Sequence, residues 1–201
     1  MSMETQYLKT LVYGLKGYIK NAENVEKIIV THSLAAAGSA LASGWMTGTG
    51  GAIATGLAFG FVISMYYGIC KECNISIGKN VLRALASVVV AETAAYLGVI
   101  LAAELVLSFI PVVGNLSASF LAGIVNFGMV YVAGALFVKM MVNVFKAKGE
   151  IGNMTEEELK NAMKDVSTRD NIKAAYDESK DVYKQAKNDD SYNADDIKPA
   201  E

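Results

Sequence analysis

The sequence is poor in the residue types that stop helices, form disulfides or bind metals. Its 201 residues include two prolines, two cysteines and one histidine. Two cysteines cannot form the disulfide framework of a small secreted domain, so a reducing compartment is expected. Cys70 and Cys73 have CxxC spacing, but without a second ligand pair or a βαβ pattern they indicate structural thiols. We therefore expect no cofactor and no metal site.

Motifs of catalysis and of nucleic-acid binding are also missing. No nucleophilic-serine, zinc-protease or dinucleotide pattern stands in a suitable context, and no basic, aromatic-rich face suggests a nucleic-acid partner. The segment "GTGGAIATGLA" spaces Gly51 and Gly56 as a phosphate-binding loop does. However, Leu57 and Ala58 stand where that loop requires Lys and Ser or Thr. The sequence predicts a protein that is not an enzyme.

Charged side chains are absent from long stretches. Hydrophobic residues make up 53% of the chain and charged residues 19%, and residues 28–70 contain no Asp, Glu, Lys or Arg. Two further apolar runs, 84–110 and 116–138, are separated by a turn at Pro111 and Gly114, because proline ends a helix and glycine accepts turn conformations. Since about 20 apolar residues cross a bilayer, the pattern predicts two apolar helical hairpins with four membrane-type helices.

The basic residues lie on one side of these predicted hairpins. Four precede the first run, three lie in the connector 71–83 and three follow the last run, whereas 44–51 and 111–115 contain none. The positive-inside rule then predicts that both termini are cytoplasmic. Residues 1–148 hold ten basic and six acidic residues, while 149–201 hold eight basic and fourteen acidic ones. A weakly basic apolar body is thus expected to carry an acidic tail.

The fold class predicted from these patterns is all-α, with four segments. Residues 1–27 form an amphipathic N-terminal helix, either packed on the domain or lying in a membrane interface. Residues 28–148 form the apolar four-helix, membrane-type domain. Residues 149–187 form a soluble, acidic helical tail whose first helix has a capping box, and residues 188–201 are expected to be disordered.

Small residues recur every four positions through the first apolar run. Residues four apart share a helix face, and small side chains let helix backbones approach closely, which is a main source of helix association in lipid. The pattern predicts tight helix packing, either within one chain or between copies in a homo-oligomer. The positions are Ala36, Ala40, Gly44, Gly48, Ala52, Gly56, Gly60, Ser64 and Gly68.

Three ionisable residues stand inside the apolar runs, namely Glu92, Glu104 and His32. An ionisable group within a membrane span is costly, so each is a functional hypothesis by default. One hypothesis is an ion path that these residues line. The alternative is that the carboxyl groups are hydrogen-bonded in the packing or face an aqueous cavity. For His32, a hydrogen-bonded helix residue is favoured over a ligand or a proton relay.

Two motifs, "AFGFVISMYYGICKECNISIGKNVLRAL" and "LVLSFIPVVGNLSASFLAGIVNFGMVYVAGALFVK", resemble the YcjF-type helical domain that accompanies some Era-like or dynamin-like GTPases in bacteria. The similarity covers about residues 28–141 and includes an Ile-Pro-x-x-Gly turn, here Ile110, Pro111 and Gly114. It implies association with the bacterial inner membrane and a GTPase partner, and it brings no catalytic residues. The chain departs from fused members of that family because it has no P-loop of its own.

These features together favour a non-enzymatic scaffold that is embedded in a membrane or inserts into it. It would self-associate through small-residue helix faces and recruit a cytoplasmic partner, such as a GTPase, by its tail. One alternative is an oligomeric pore that uses Glu92 and Glu104. Another is a soluble all-helical homo-oligomer whose apolar helices are buried between subunits.

Overall fold

A computed structural model describes residues 7–42, 50–108 and 118–200, with side chains described for 7–40, 58–99 and 123–200. Over these residues the chain is helical and contains no strand, which confirms the all-α fold class. The helices are α1 (Tyr7–Lys16), α2 (Val25–Ala42), α3 (Gly50–Glu72), α4 (Lys79–Ser108), α5 (Ala118–Lys148), α6 (Glu156–Val166) and α7 (Arg169–Ala186).

Helix α5 is the element around which the others pack. Apolar residues occur on all its sides, and a helix of that kind must be covered on all sides. Helices α2, α3 and α4 pack against it, and α1, α6 and α7 cover the remaining surface. As a result, 89% of an 18-residue apolar stretch within Gly123–Lys148 is buried. The hydrophobic core therefore follows α5 along its length.

The helices α2 and α3 form an antiparallel hairpin. Gly68 of α3 packs against Ile28, and Ser64, one turn earlier, lies 3.4 Å from His32, one turn further along α2. A connection of six residues follows α3, so α4 starts beside the end of α3. Helix α5 then runs back alongside α4. Consequently α2 and α4 end, and α3 and α5 begin, at the same end of the bundle, which we call the tip. The opposite end is the base.

Two helical segments, not four, are long and apolar enough to cross a membrane among the residues described. They are Lys79–Val99 in α4 and Gly123–Lys148 in α5. The first predicted span forms α2, which also includes Glu26, Lys27 and His32. These polar residues lower its hydropathy below that of a membrane helix. The expectation of four membrane-type helices is therefore wrong for the described part of the chain.

The N-terminal helix is shorter than predicted, since α1 ends at Lys16 and turns cover 17–24. The Gly17 N–H donates to the Gly14 carbonyl at 3.2 Å and closes the last turn. Glycine is less favourable than alanine in a helix by about 1 kcal/mol, which explains the early end. The apolar face of α1 packs on the domain, with Leu8, Val12 and Leu15 buried.

The acidic tail is packed on the domain and does not extend from it. The helices α6 and α7 contact α4 and α5. Residues 188–200, predicted to be disordered, lie against the body of the domain, where the Ala200 N–H donates to the Gly60 carbonyl at 3.0 Å. The structure therefore differs from the expected solvated arm, because apolar stripes on both tail helices are used to cover α4 and α5. The buried apolar residues of the stripes are Leu159, Met163, Val166, Ile172, Ala175, Tyr176, Tyr183 and Ala186.

The predicted capping box of α6 is present. The Thr155 hydroxyl accepts the Glu158 N–H at 3.2 Å, and the Glu158 carboxylate accepts the Thr155 N–H at 2.9 Å. Lys148 and these hydrogen bonds hold the pKa of Glu158 at about 2. We expect Thr155→Ala to lower the free energy of unfolding by about 1 kcal/mol in urea denaturation. Thr155→Ser should stay close to the wild type, and an unaffected Thr155→Ala variant would contradict the cap.

Candidate functional site

Three polar helices separate the apolar helix α5 from water. We call α1, α6 and α7 the sheath. On α7 several charged side chains point outward and pair with each other, as Lys173 does with Asp177 at 2.5 Å and Lys184 with Asp181 at 3.2 Å. The side of α5 that α7 covers is therefore separated from water by α7, whose outer surface is charged. In this arrangement α5 is the core helix of the domain and cannot be in contact with lipid on that side.

Two glycines of α5 let neighbouring helices approach closely. A Cβ atom at Gly128 would lie 2.6 Å from the Tyr176 ring of α7, and one at Gly134 would lie 2.8 Å from Ile29 of α2. Real Cβ atoms do not approach neighbours so closely, so both contacts require glycine. The sequence interpretation missed both residues. The signal was available, because glycine is unfavourable inside a helix unless packing requires it.

A buried carboxylate joins α7 to α1 and α5. Glu178 accepts the Leu8 N–H at 3.0 Å and a hydrogen bond from the Tyr131 hydroxyl. Leu8 lies in the first described turn of α1, where backbone N–H groups have no partner within the helix. Glu178 thus caps α1 from 170 residues away in sequence. Burial raises the pKa of Glu178 above its ordinary value, and these hydrogen bonds only partly offset that effect.

Lys139 makes a second polar connection between α5 and the sheath. Its Nζ donates to the Asn171 side chain at 2.5 Å and lies 3.4 Å from the Tyr7 hydroxyl. Asn171 in turn donates to the Val166 carbonyl at 2.8 Å, across the turn between α6 and α7. The sequence places Lys139 at the end of the last apolar run. In the structure it ties α5 to α1 and α7. Because Lys139 and Glu178 each connect these three helices, we call the two residues together the polar junction.

His32 is a hydrogen-bonded helix residue, as the favoured sequence interpretation expects. Its Nδ1–H donates to the Ile28 carbonyl at 2.8 Å, and its Nε2 lies 3.4 Å from the Ser64 hydroxyl. Burial lowers the pKa of His32, which favours the neutral ring at neutral pH. With one ring nitrogen engaged by backbone and the other facing Ser64, this histidine holds α2 and α3 together.

Among the described side chains, those of His32 and Glu92 do not come together. Glu92 is exposed on α4, whereas His32 is buried between α2 and α3. Glu104 lies in the part of α4 whose side chains are not described, and the predicted turn residues Pro111 and Gly114 lie outside the described residues. An ion path through these residues therefore remains a prediction.

The small residues predicted to pack are divided between α2 and α3. Ala36 and Ala40 are buried on α2, while Gly68 packs on Ile28, and Gly60 contacts the C-terminal segment. The contacts of these four residues are made within one chain. Ser64 lies beside His32. Gly44 and Gly48 lie outside the described residues, and Ala52 and Gly56 lie in the part of α3 without described side chains.

The CxxC pair consists of buried, free thiols. Burial raises the pKa of Cys70 to about 12 and that of Cys73 to about 11. Both residues lie at the C-terminal end of α3, where the helix dipole also disfavours a thiolate. Low thiol pKa values mark reactive cysteines, so this environment favours inert ones. Among the described residues, no group of three or more His, Cys, Asp or Glu side chains could hold a metal ion.

Comparisons of the chain with protein-family models, curated proteins and solved structures found no match. The resemblance to the YcjF-type family and the GTPase partner that it implies therefore stay predictions. The structure itself offers a hairpin that contains two helices of membrane length. Polar helices cover α5 through a small number of specific contacts, namely the close approach at Gly128 and the polar junction of Lys139 and Glu178.

Proposed function

We propose that this chain is a non-enzymatic helical scaffold that inserts into a membrane when its sheath is displaced. The observation that carries the proposal is the position of the two helices of membrane length, which follow one another as the hairpin α4–α5. A bilayer accepts an apolar helical hairpin, because the backbone groups of each helix are hydrogen-bonded within that helix. The sheath keeps α5 out of contact with water until lipid takes the place of the sheath.

The energy of such an exchange supports the proposal. Lipid tails are about as apolar as leucine, so moving α5 from a protein core to a bilayer changes its apolar burial little. The sheath contacts that would be lost are those at Gly128, Lys139 and Glu178, while the contacts of α5 with α2 and α3, such as Gly134 against Ile29, would have to be retained or replaced by lipid. Lys139 lies towards the base, and a long lysine side chain can reach the interface from within a span. The barrier to insertion is therefore set by the contacts of the sheath.

The membrane in this proposal is the inner membrane of a bacterium, with both chain termini cytoplasmic. Support comes from the charges, since the ends of α3 and α4 at the base carry Lys71, Lys79 and Arg83, while the hairpin connections 43–49 and 109–117 contain no charged residue. Basic residues are retained on the cytoplasmic side of a membrane. The proposed partners are membrane lipid, a second copy of the chain, and a cytoplasmic protein such as a GTPase, recruited by the tail helices once they are released.

A soluble homo-oligomer is the second candidate, and the outer face of α4 favours it. Only 39% of an 18-residue apolar stretch within Lys79–Val99 is buried. The exposed residues include Ala91, Ala95, Gly98 and Val99, a largely apolar strip on one helix face. A second copy could cover that strip as well as lipid could. The pore hypothesis, with Glu92 on the border of the same strip, would show itself as leakage of a dye trapped in the liposomes that are used in the experiment below.

The test is the resistance of liposome-bound protein to carbonate extraction. Gly128→Ala places a Cβ atom against Tyr176, and overpacking of this kind costs about 1–2 kcal/mol. That cost corresponds to about a 5–30-fold larger population with α7 detached, so the carbonate-resistant fraction should rise severalfold above the wild type. Gly98→Ala is the matched control, because nothing lies within 4 Å of its Cβ position. Release of both variants by carbonate to the same small residual level would overturn the proposal and favour the soluble oligomer.

A further inference from the structure

We infer that the surface formed by α2 and α3 near Gly60 is a binding site for residues 192–200, and that a second copy supplies this segment when the protein self-associates. This inference rests on the self-association in the proposed function and gives it a specific surface. In the structure the chain's own residues 192–200, which we call the C-terminal strap, occupy the site. The strap packs on the core through Tyr192, Ala194, Ile197 and Ala200.

The contact at Gly60 is specific for a backbone. The Ala200 N–H donates to the Gly60 carbonyl at 3.0 Å. A Cβ atom at position 60 would lie 2.7 Å from the Pro199 Cβ and 3.1 Å from the Ala200 carbonyl oxygen. Only glycine at this buried position of α3 lets the strap come so close. The small-residue pattern thus has a further use here, which is to admit a peptide and not another helix.

The strap is held in place loosely. Each of its residues is half-buried or exposed. It contains one short turn, in which the Ile197 N–H donates to the Ala194 carbonyl at 3.2 Å, and it makes one backbone hydrogen bond to α3. Segments with few buried apolar contacts open at low free-energy cost. The strap can therefore leave its site without unfolding the helices.

A cavity that opens to solvent lies beside the strap. The cavity has a volume of about 430 Å³ and is lined by Leu34, Ala37 and Gly38 of α2, by the end of α7 and by residues from Asp189 to Asp195. The strap therefore covers only part of the surface of α2 beside it, and a strap from a second copy would meet the same surface.

Exchange between two copies follows from the way the strap is attached. Residues 187–191 connect it to α7 and are exposed. A short connection of this kind gives the strap an effective concentration of about millimolar at the site on its own chain. The strap of a second copy can therefore bind that site only when the chain's own strap has left it. If two copies exchange straps, each occupies the other's site and the interface closes on itself as a dimer. The partner that this surface fits is therefore a second copy of the chain.

The experiment titrates a fluorescent peptide of residues 188–201 into the full-length chain. The variant Ile197→Asp weakens the chain's own strap without changing the site, so the peptide should bind this variant at least about tenfold more tightly than the wild type. Adding Gly60→Val to that variant should abolish binding. Adding Gly152→Val, at an exposed turn position with nothing within 4 Å of its Cβ position, should leave binding unchanged. A peptide with Ala200→Pro lacks the N–H donor and should not bind the Ile197→Asp chain.

The peptide variant keeps the test valid even if Gly60→Val does not fold. Equal binding of the wild-type and Ala200→Pro peptides, or no binding to the Ile197→Asp chain, would overturn the inference. So would a dimer that persists in a folded Gly60→Val variant in light-scattering measurements. Liposome insertion of the same variants is measured separately. Insertion without peptide binding overturns this inference alone, and specific peptide binding without insertion overturns only the membrane proposal.

Discussion

Gly134→Val is expected to lower the free energy of unfolding by about 3 kcal/mol. The Cβ position at Gly134 lies 2.8 Å from two side-chain atoms of Ile29 and 3.0 Å from the sulfur of Met65. Both neighbours are fully buried, so neither can move into solvent. A side chain on α5 must therefore push α2 and α3 away together. Urea denaturation followed by circular dichroism measures the effect.

The matched control is Gly98→Val on α4, where the added side chain meets nothing within 4 Å. Because the position is exposed, its effect should stay within about 0.5 kcal/mol. Adding Ile29→Ala to Gly134→Val removes the atoms that clash, so the double variant should be more stable than the sum of the single effects predicts. Additive effects of the two substitutions would mean that Gly134 and Ile29 are not in contact.

The sequence predicts the helices well and their surroundings poorly, and α5 shows why. Its unbroken apolar composition indicates a helix that must be covered on all sides. A bilayer and a shell of other helices satisfy that requirement equally, because both are apolar. The deciding information lies in α6 and α7. Their apolar residues, among them Met163 and Tyr176, have a helical spacing that predicts a buried face, and that face is what covers α4 and α5.

The contacts of the candidate site were harder to predict, because each joins residues far apart in sequence. Glu178 stands in a helix rich in charged residues of both signs, where a glutamate is normally solvated. Its spacing of three from Ala175, on the buried side of α7, was the only local signal. Gly60 was predicted to pack against a helix, whereas Pro199 and Ala200 contact it. Spacing along one segment can predict a face, but it cannot identify the distant residues that meet it.

Glu178→Ala is expected to lower the free energy of unfolding by about 2–3 kcal/mol at neutral pH. The substitution leaves the Leu8 N–H and the Tyr131 hydroxyl without their acceptor in a buried place, and each unsatisfied group costs about 1–3 kcal/mol. Glu178→Gln keeps an acceptor oxygen and removes the buried charge. It should therefore be at least as stable as the wild type at neutral pH. An alanine variant as stable as the glutamine variant would show that these hydrogen bonds contribute nothing.

The pH dependence of the same pair separates the charge of Glu178 from its hydrogen bonds. Burial raises the pKa of Glu178 in the folded chain, so the folded state binds its proton more tightly than the unfolded state does. The wild type should then lose stability as the pH rises from the ordinary glutamate pKa through the raised one. Glu178→Gln lacks this loss, so its advantage should grow as the pH rises from the ordinary glutamate pKa of about 4 through the raised one, and then stay constant. Carboxylates with lowered pKa values, such as Glu158 and Asp189, make the folded state more stable as the pH rises, but they do so equally in both proteins. The difference in the free energy of unfolding between the two proteins therefore reports on Glu178. Parallel stability curves for the two proteins would mean that the carboxylate is solvated and that the sheath is held by packing alone.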